Sequence, residues 1–175
     1  MKHFLTILIL LIVSNGFAQI SHGGQPLSFS STIAQNIPIY TTPTQNIKKL
    51  INEDAVTDKY KDIAWRFGIE IPVNINLNNA GFWETLNNGD RVWRIILKSP
   101  NAKTININYS HFYLPKGGRF FVYNKNGILG SFTSLNNKVD GKFATSLLKG
   151  NTVTLAYFEP LSVKGKGIKH VNINT

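Results

Sequence analysis

Cysteine is absent from all 175 residues. That excludes disulfides, thiolate metal sites and a lipoprotein-type anchor, so the chain must hold together by core packing alone. Histidine is scarce: His3, His22, His111 and His170 are the only four, and none stands in an H-E-x-x-H or comparable metal-ligating pattern. No G-x-S-x-G elbow and no phosphate-cradling glycine loop occurs. Glu84, following Gly81-Phe82-Trp83, has no second carboxylate near it in sequence, which leaves a glycosidase reading without its pair. Asp90 follows Gly89 in a turn-like stretch, where an aspartate commonly bonds its own backbone. His111 lies between aromatics in YSHFYLP, and one histidine without a placed partner cannot support acid–base chemistry. The expectation is a chain that is not itself an enzyme, with no cofactor and no metal.

Acidic residues are nearly missing from the second half. From Lys48 to Arg94 seven basic residues face seven acidic ones; from Lys98 onward eleven basic residues face only Asp140 and Glu159. The formal net charge of +10 is therefore lodged in the C-terminal half. Its lysines are scattered through turn-like positions (Lys103, Lys116, Lys125, Lys138, Lys142, Lys149), the pattern of a solvated surface and not of a nucleic-acid stripe.

Long apolar runs are lacking too, with one exception at the start. Lys2 precedes an apolar run from Phe4 to Val13, and Gly16 and Ala18 close the segment with small residues. The run is shorter than the ~20 residues a bilayer requires and carries the features of a cleaved export signal. The exported chain is expected to begin near Gln19, to reside outside the cytoplasm (secreted, periplasmic or at the cell surface) and to keep no membrane insertion. Export also makes intracellular nucleic acid an unsuitable partner.

What remains suits one domain, able to bury ~70% of the surface its unfolded chain exposes. Residues 19–45 are rich in Ser, Gln, Thr, Pro and Gly and read as an extended lead-in with little structure of its own. In IKKLINEDAVTDKY, Ile47, Leu50 and Ile51 recur at helical spacing behind Asn46 as cap. Glu53, Asp54 and Asp58 sit at the end the helix dipole disfavours, which predicts only one or two turns. From Phe67 onward the pattern is that of strands. RVWRIILKS sets Trp93, Ile95 and Leu97 against Arg94 and Lys98, the alternation of a half-buried strand. TININY, RFFVY, FATSLL and TVTLAYF follow, separated by turn signals that include Asn88-Gly89 and Asn126-Gly127. The fold class expected over residues 46–175 is all-β: an antiparallel, jelly-roll-like β-sandwich with one short N-terminal helix.

Three tryptophans invite a binding role. Trp93 fits the buried strand face. Trp83, beside Gly81 and ahead of a turn, can be read as a core anchor or as an exposed platform for a sugar ring or peptide. Trp83 and His111 are the candidate ligand or partner contacts, and an extracellular carbohydrate- or surface-binding module is the alternative function.

The order of several short motifs resembles the N-terminal region of secreted lysyl endopeptidase-like serine proteases. These are Gly89-Asp90 with Trp93-Arg94, Phe112-x-Leu114-Pro115-x-Gly117, Tyr123-Asn124, Gly130-x-Phe132-Thr133 and Glu159-Pro160. The resemblance spans about residues 47–175 and implies a β-sandwich pro- or accessory domain ahead of a trypsin-fold catalytic domain. The family's catalytic residues belong to that later domain, so none is carried over to this chain. The resemblance further implies that the partner is a serine-protease domain, in cis or in trans, whose folding this region assists or whose site it masks. The chain ends in GIKHVNINT, where similar precursors continue toward the protease; a truncated product, a precursor fragment or a stand-alone form of the domain is expected.

Overall fold

The computed structural model describes residues 21–29, 36–167 and 171–173. The signal segment, the start near Gln19 and His170 lie outside the described residues. Eleven strands and one α-helix follow in order: β1 (Ile39–Thr41), α1 (Ile47–Thr57), β2 (Phe82–Thr85), β3 (Arg91–Lys98), β4 (Thr104–Ile105), β5 (Asn108–Phe112), β6 (Arg119–Asn124), β7 (Gly127–Phe132), β8 (Phe143–Ala144), β9 (Leu148–Lys149), β10 (Thr152–Glu159) and β11 (Val171–Ile173). The fold is an all-β sandwich.

The larger sheet runs β1-β3-β10-β6-β7, with β2 also paired to β3. β2 takes Arg91–Arg94 and β1 takes Ile96–Lys98, so the two short strands share one edge of β3 in tandem. All pairings in this sheet are antiparallel except β1 with β3. Register places Trp83, Trp93, Tyr157, Phe120 and Phe132 in one row across five strands. Next to it run Ile95, Leu155 and Val122. Cross-strand aromatic and branched pairs of this kind contribute ~0.2–1 kcal/mol each.

Against this face pack β5 and β8 of a three-stranded sheet (β11-β5-β8), the β4–β9 pair and the segment bearing Val73, Ile75 and Leu77, whose apolar side chains share one buried cluster. Phe112 stacks on Phe143 at 4.4 Å, and Tyr109 meets Phe120 edge-on at 5.8 Å. Tyr109 and Phe112 both point inward although they are three positions apart. The β5–β11 register shifts between His111 and Tyr109, so Ser110 is the extra residue of a bulge.

TININY and FATSLL are each split, contrary to the expectation of continuous strands. Thr104–Ile105 pairs with Leu148–Lys149, and Asn108–Tyr109 with Phe143–Ala144. Three residues on one side thus oppose two on the other. Thr145 bridges the gap: its hydroxyl accepts from the Ile107 amide at 3.0 Å and its own amide donates to the Ile107 carbonyl at 3.0 Å. The Asn126-Gly127 pair is not the centre of its turn either. Asn124 pairs with Gly127, so Lys125 and Asn126 form the two-residue loop, and Asn124 and Asn126 both donate side-chain N–H to the Lys149 carbonyl.

Arg94 is a second correction. The alternation assigned it to a solvated face, yet it is 1% exposed. On that outer face Phe121, Tyr123 and Ala156 form their own buried cluster. The lead-in covers it: Phe29 lies edge-on against Tyr123 at 5.4 Å, and the Ser28 and Tyr123 hydroxyls are hydrogen-bonded. His22 donates to the Ser131 carbonyl and Ser131 to that of Gly23, continuing the sheet beyond β7. Residues 21–29 therefore act as part of the sandwich, and Ile39–Thr41 adds a strand.

Burial without a hydrogen-bond partner holds the Tyr109 phenol well above its ordinary range, and burial, reinforced by the Glu159 carboxylate, raises that of Tyr157. Raised phenol values add stability that is fully present below about pH 10, the unfolded value, and is lost as pH climbs through the higher folded values. Alkaline unfolding should therefore coincide with a late rise in phenolate absorbance. Tyr109→Phe should move that transition to higher pH; an unchanged or lower midpoint would contradict the burial described.

Candidate functional site

The helix forms as its spacing predicts, with the Asn46 side chain accepting from the Lys49 amide at 3.0 Å. It runs 11 residues, about three turns and not the one or two expected. The reason comes from downstream. Arg66 reaches back to Glu53 at 2.9 Å and to Asp54 at 3.1 Å, offsetting the acidic cluster at the unfavourable end. The Glu53 hydrogen bond foremost, with the charges of Asp54, Glu53 and Asp58, raises the proton affinity of the Arg66 guanidinium against the opposing effect of desolvation. No residue of the helix is buried. It leans on the sandwich without being enclosed by it.

The chain then enters the core along a single apolar alternation: Trp65, Phe67, Ile69, Ile71, Val73, Ile75 and Leu77. Exposure falls along it, from 78% and 82% at Trp65 and Phe67 to 38% at Ile69 and 7%, 1% and 1% at Val73, Ile75 and Leu77. The inner half anchors the segment in the core. The outer half presents two large aromatic rings to solvent, with exposed Ile51, Val56, Tyr60 and Ile63 in the same stretch of chain. Isolated exposed apolar residues are ordinary; it is contiguous apolar patches that mark interaction sites.

Between α1, this segment and the end of β3 opens a cleft of about 460 Å³. Leu97, Val73 and Ile107, members of the main core cluster, form its floor. Leu50, Ile51 and Ile69 line it higher up, and the exposed Lys98 and Lys103 stand at its mouth.

Trp83 and His111 are elsewhere and apart from each other. Trp83 is half-buried on β2, with its indole N–H donating to the Leu77 carbonyl at 2.9 Å. The Arg91 guanidinium lies over its ring at 4.3 Å, and Tyr157 meets it edge-on at 5.9 Å. Its polar handle and packing surface are used inside the fold, which is the core-anchor reading. His111 is exposed on β5, paired with Asn172, and close to Gly141, where an added Cβ would meet its Nδ1 at 3.3 Å. Sequence reasoning counted Trp65 only as one of three tryptophans, without placing it, and passed over Phe67. Their signal was the period-two run to Leu77, which reads as the start of a strand.

The motif residues occupy architectural positions. Asp90 accepts from the Leu161 amide at 2.8 Å, tying the β2–β3 turn to the chain after Pro160. Arg94 pairs with Glu84 at 2.6 Å, and Arg91 with the fully buried Glu159. Asn137 exchanges both of its side-chain hydrogen bonds with the Leu114 backbone at 2.8 Å, fixing the corner before Pro115. Among the described residues no group of three or more His, Asp and Glu side chains gathers to hold a metal ion, and no helix is long and apolar enough to cross a membrane. No family model matches the chain, and no solved structure matches it.

Proposed function

We propose that this chain is a secreted, non-catalytic β-sandwich of the kind that accompanies lysyl endopeptidase-like serine proteases, assisting the folding of a trypsin-fold domain or masking it. The observation that carries this reading is the exposure gradient along Trp65–Leu77. One end of the segment is fixed in the core while the other holds two aromatic rings in water. Covering such rings is the kind of central apolar burial that dominates protein–protein affinity, with Trp and Tyr enriched at such positions. The resemblance rests on residues that shape the sheet, such as Trp93, Arg94 and Glu159, which suits a scaffold whose task is to present a surface. The surplus of lysines in the second half supplies charges that tune association around an apolar patch. The alternative, a carbohydrate- or surface-binding module, would have to use Trp65, because Trp83 is engaged within the fold.

The test is binding and refolding of a lysyl endopeptidase catalytic domain supplied in trans. The parent chain should raise the refolding yield or inhibit the folded enzyme, and should not itself cleave Lys- or Arg-containing peptides. Trp65→Ser with Phe67→Ser should weaken binding by about 100-fold, each lost anchor being worth ~1–2 kcal/mol or more. Its urea midpoint should stay near that of the parent, since both rings are exposed. Lysine-specific turnover lost on mutating His111 would overturn the proposal, as would retention on a polysaccharide without protease binding.

A further inference from the structure

The cleft between α1 and the end of β3 has a chemistry of its own: it shares Phe67 with the exposed aromatic pair, while Trp65 lies outside it. Its volume of about 460 Å³ falls within the ~300–1,000 Å³ of small-ligand sites. Its floor belongs to the main core, so an apolar chain entering it extends that core outward. Four charged residues line it: Asp54, Arg66, Lys98 and Lys103. Asp54 and Arg66 neutralise each other at 3.1 Å. Lys98 and Lys103 make no ion pair among the described residues.

The backbone at both lysines is fixed by hydrogen bonds, while their side chains are exposed. The Lys98 carbonyl accepts from Thr42 at 2.9 Å, and the Lys103 carbonyl from Gly150 at 2.8 Å. The turn between them closes with the Ala102 amide donating to Ser99, and Asn101 adopts a φ of +67°, a conformation asparagine tolerates better than most residues. The result is a largely apolar cleft with two exposed lysines, neither in an ion pair among the described residues, at its edge.

We infer that this cleft binds a linear amphipathic carboxylate, with its alkyl tail on Leu50, Ile51, Ile69, Val73, Leu97 and Ile107 and its head group between Lys98 and Lys103. The occupant is a free small molecule. The proposed protein partner would meet the surface around the Trp65 ring, whereas a cleft bounded by the helix on one side and the sheet on the other admits a chain of methylenes. The lysines select an anion over an alcohol and reject a cation.

The experiment titrates the full chain with hexanoate, octanoate and decanoate below their micellar concentrations, alongside decanol and decyltrimethylammonium. Calorimetry gives affinity, and backbone amide shifts give location. Affinity should rise about fourfold per added methylene until the slot is filled. Decanoate should bind about tenfold more tightly than decanol at low salt, and that preference should shrink as salt is added. Lys98→Gln with Lys103→Gln should abolish the preference while leaving decanol affinity in place. Shifts should centre on Leu97–Ile107. Affinity independent of chain length, equal binding of decanoate and decanol, preference for the cation or shifts centred on Trp65 and not on the cleft would each overturn the proposal. The head-group comparison uses the unaltered protein, so the test survives a lysine variant that folds poorly. Loss of protease binding leaves it untouched.

Discussion

Trp93→Ala is expected to lower the urea midpoint of unfolding by about 2 M. Trp93 is fully buried within the aromatic row, between Trp83 on one neighbouring strand and Tyr157 on the other. Its indole N–H donates to the Ala80 carbonyl at 2.8 Å. The loop supplying that carbonyl is fitted to the ring: Gly81 has a φ of +80°, and a Cβ there would lie 2.5 Å from the indole nitrogen. Truncating a buried tryptophan to alanine costs ~3–5 kcal/mol, a large share of the ~5–15 kcal/mol a domain possesses. With a urea dependence of ~2 kcal/mol per molar, that loss becomes the stated shift. Trp93→Phe separates packing from hydrogen bonding. It keeps most of the apolar contact but leaves the Ala80 carbonyl without its donor, so a loss of ~1–3 kcal/mol is expected. Equal midpoints for Trp93→Ala and the parent would mean that the inner face of β3 had been misassigned.

The inner face of β3 was legible because period two names which residues share a face. It does not say whether the opposite face is covered, and there the reading of Arg94 failed. The cover of that face includes Ser28 and Phe29, in a segment whose Ser, Gln and Pro content resembles a free lead-in and which finds order against Tyr123 and Ser131. Non-local pairing explains the other departures. Nothing within FATSLL announces that Thr145 will lend its hydroxyl to Ile107, and nothing within the helix announces that Arg66 will neutralise Glu53 and Asp54. Asn46 as a cap was readable because its partner, the Lys49 amide, lies three residues away. The candidate site was the least legible part. The alternation from Trp65 to Leu77 is plain in the sequence, but only the third dimension separates its buried half from its exposed half.

Glu84→Ala should be nearly as damaging as loss of Trp93, although Glu84 lies on a short edge strand and is partly exposed. Its carboxylate accepts from the Arg94 guanidinium at 2.6 Å, while the Arg94 Nε is buried without a hydrogen-bond partner among the described residues. Arg94 sits among Val92, Ala156, Phe121 and Tyr123, and its charge is felt at the Tyr123 phenol, where it opposes the upward shift caused by burial. A guanidinium in this setting cannot shed its proton. Removing its counter-ion therefore strands a buried charge, a change that costs ~3–5 kcal/mol where it has been measured. The neighbouring pair behaves differently. Arg91 is partly open to solvent and also rests on Trp83, so Glu159→Gln leaves a cation that water can reach and should cost less. The decisive comparison is the double variant Glu84→Leu with Arg94→Met. Replacing a buried ion pair by apolar residues of similar volume is often neutral or stabilising, so the double variant should recover most of what Glu84→Ala loses. Denaturation midpoints of the three chains settle the matter. If the double variant is as unstable as Glu84→Ala alone, the pair does more than compensate charge: its geometry would then set how β2 docks on β3, and the aromatic row beginning at Trp83 would depend on it.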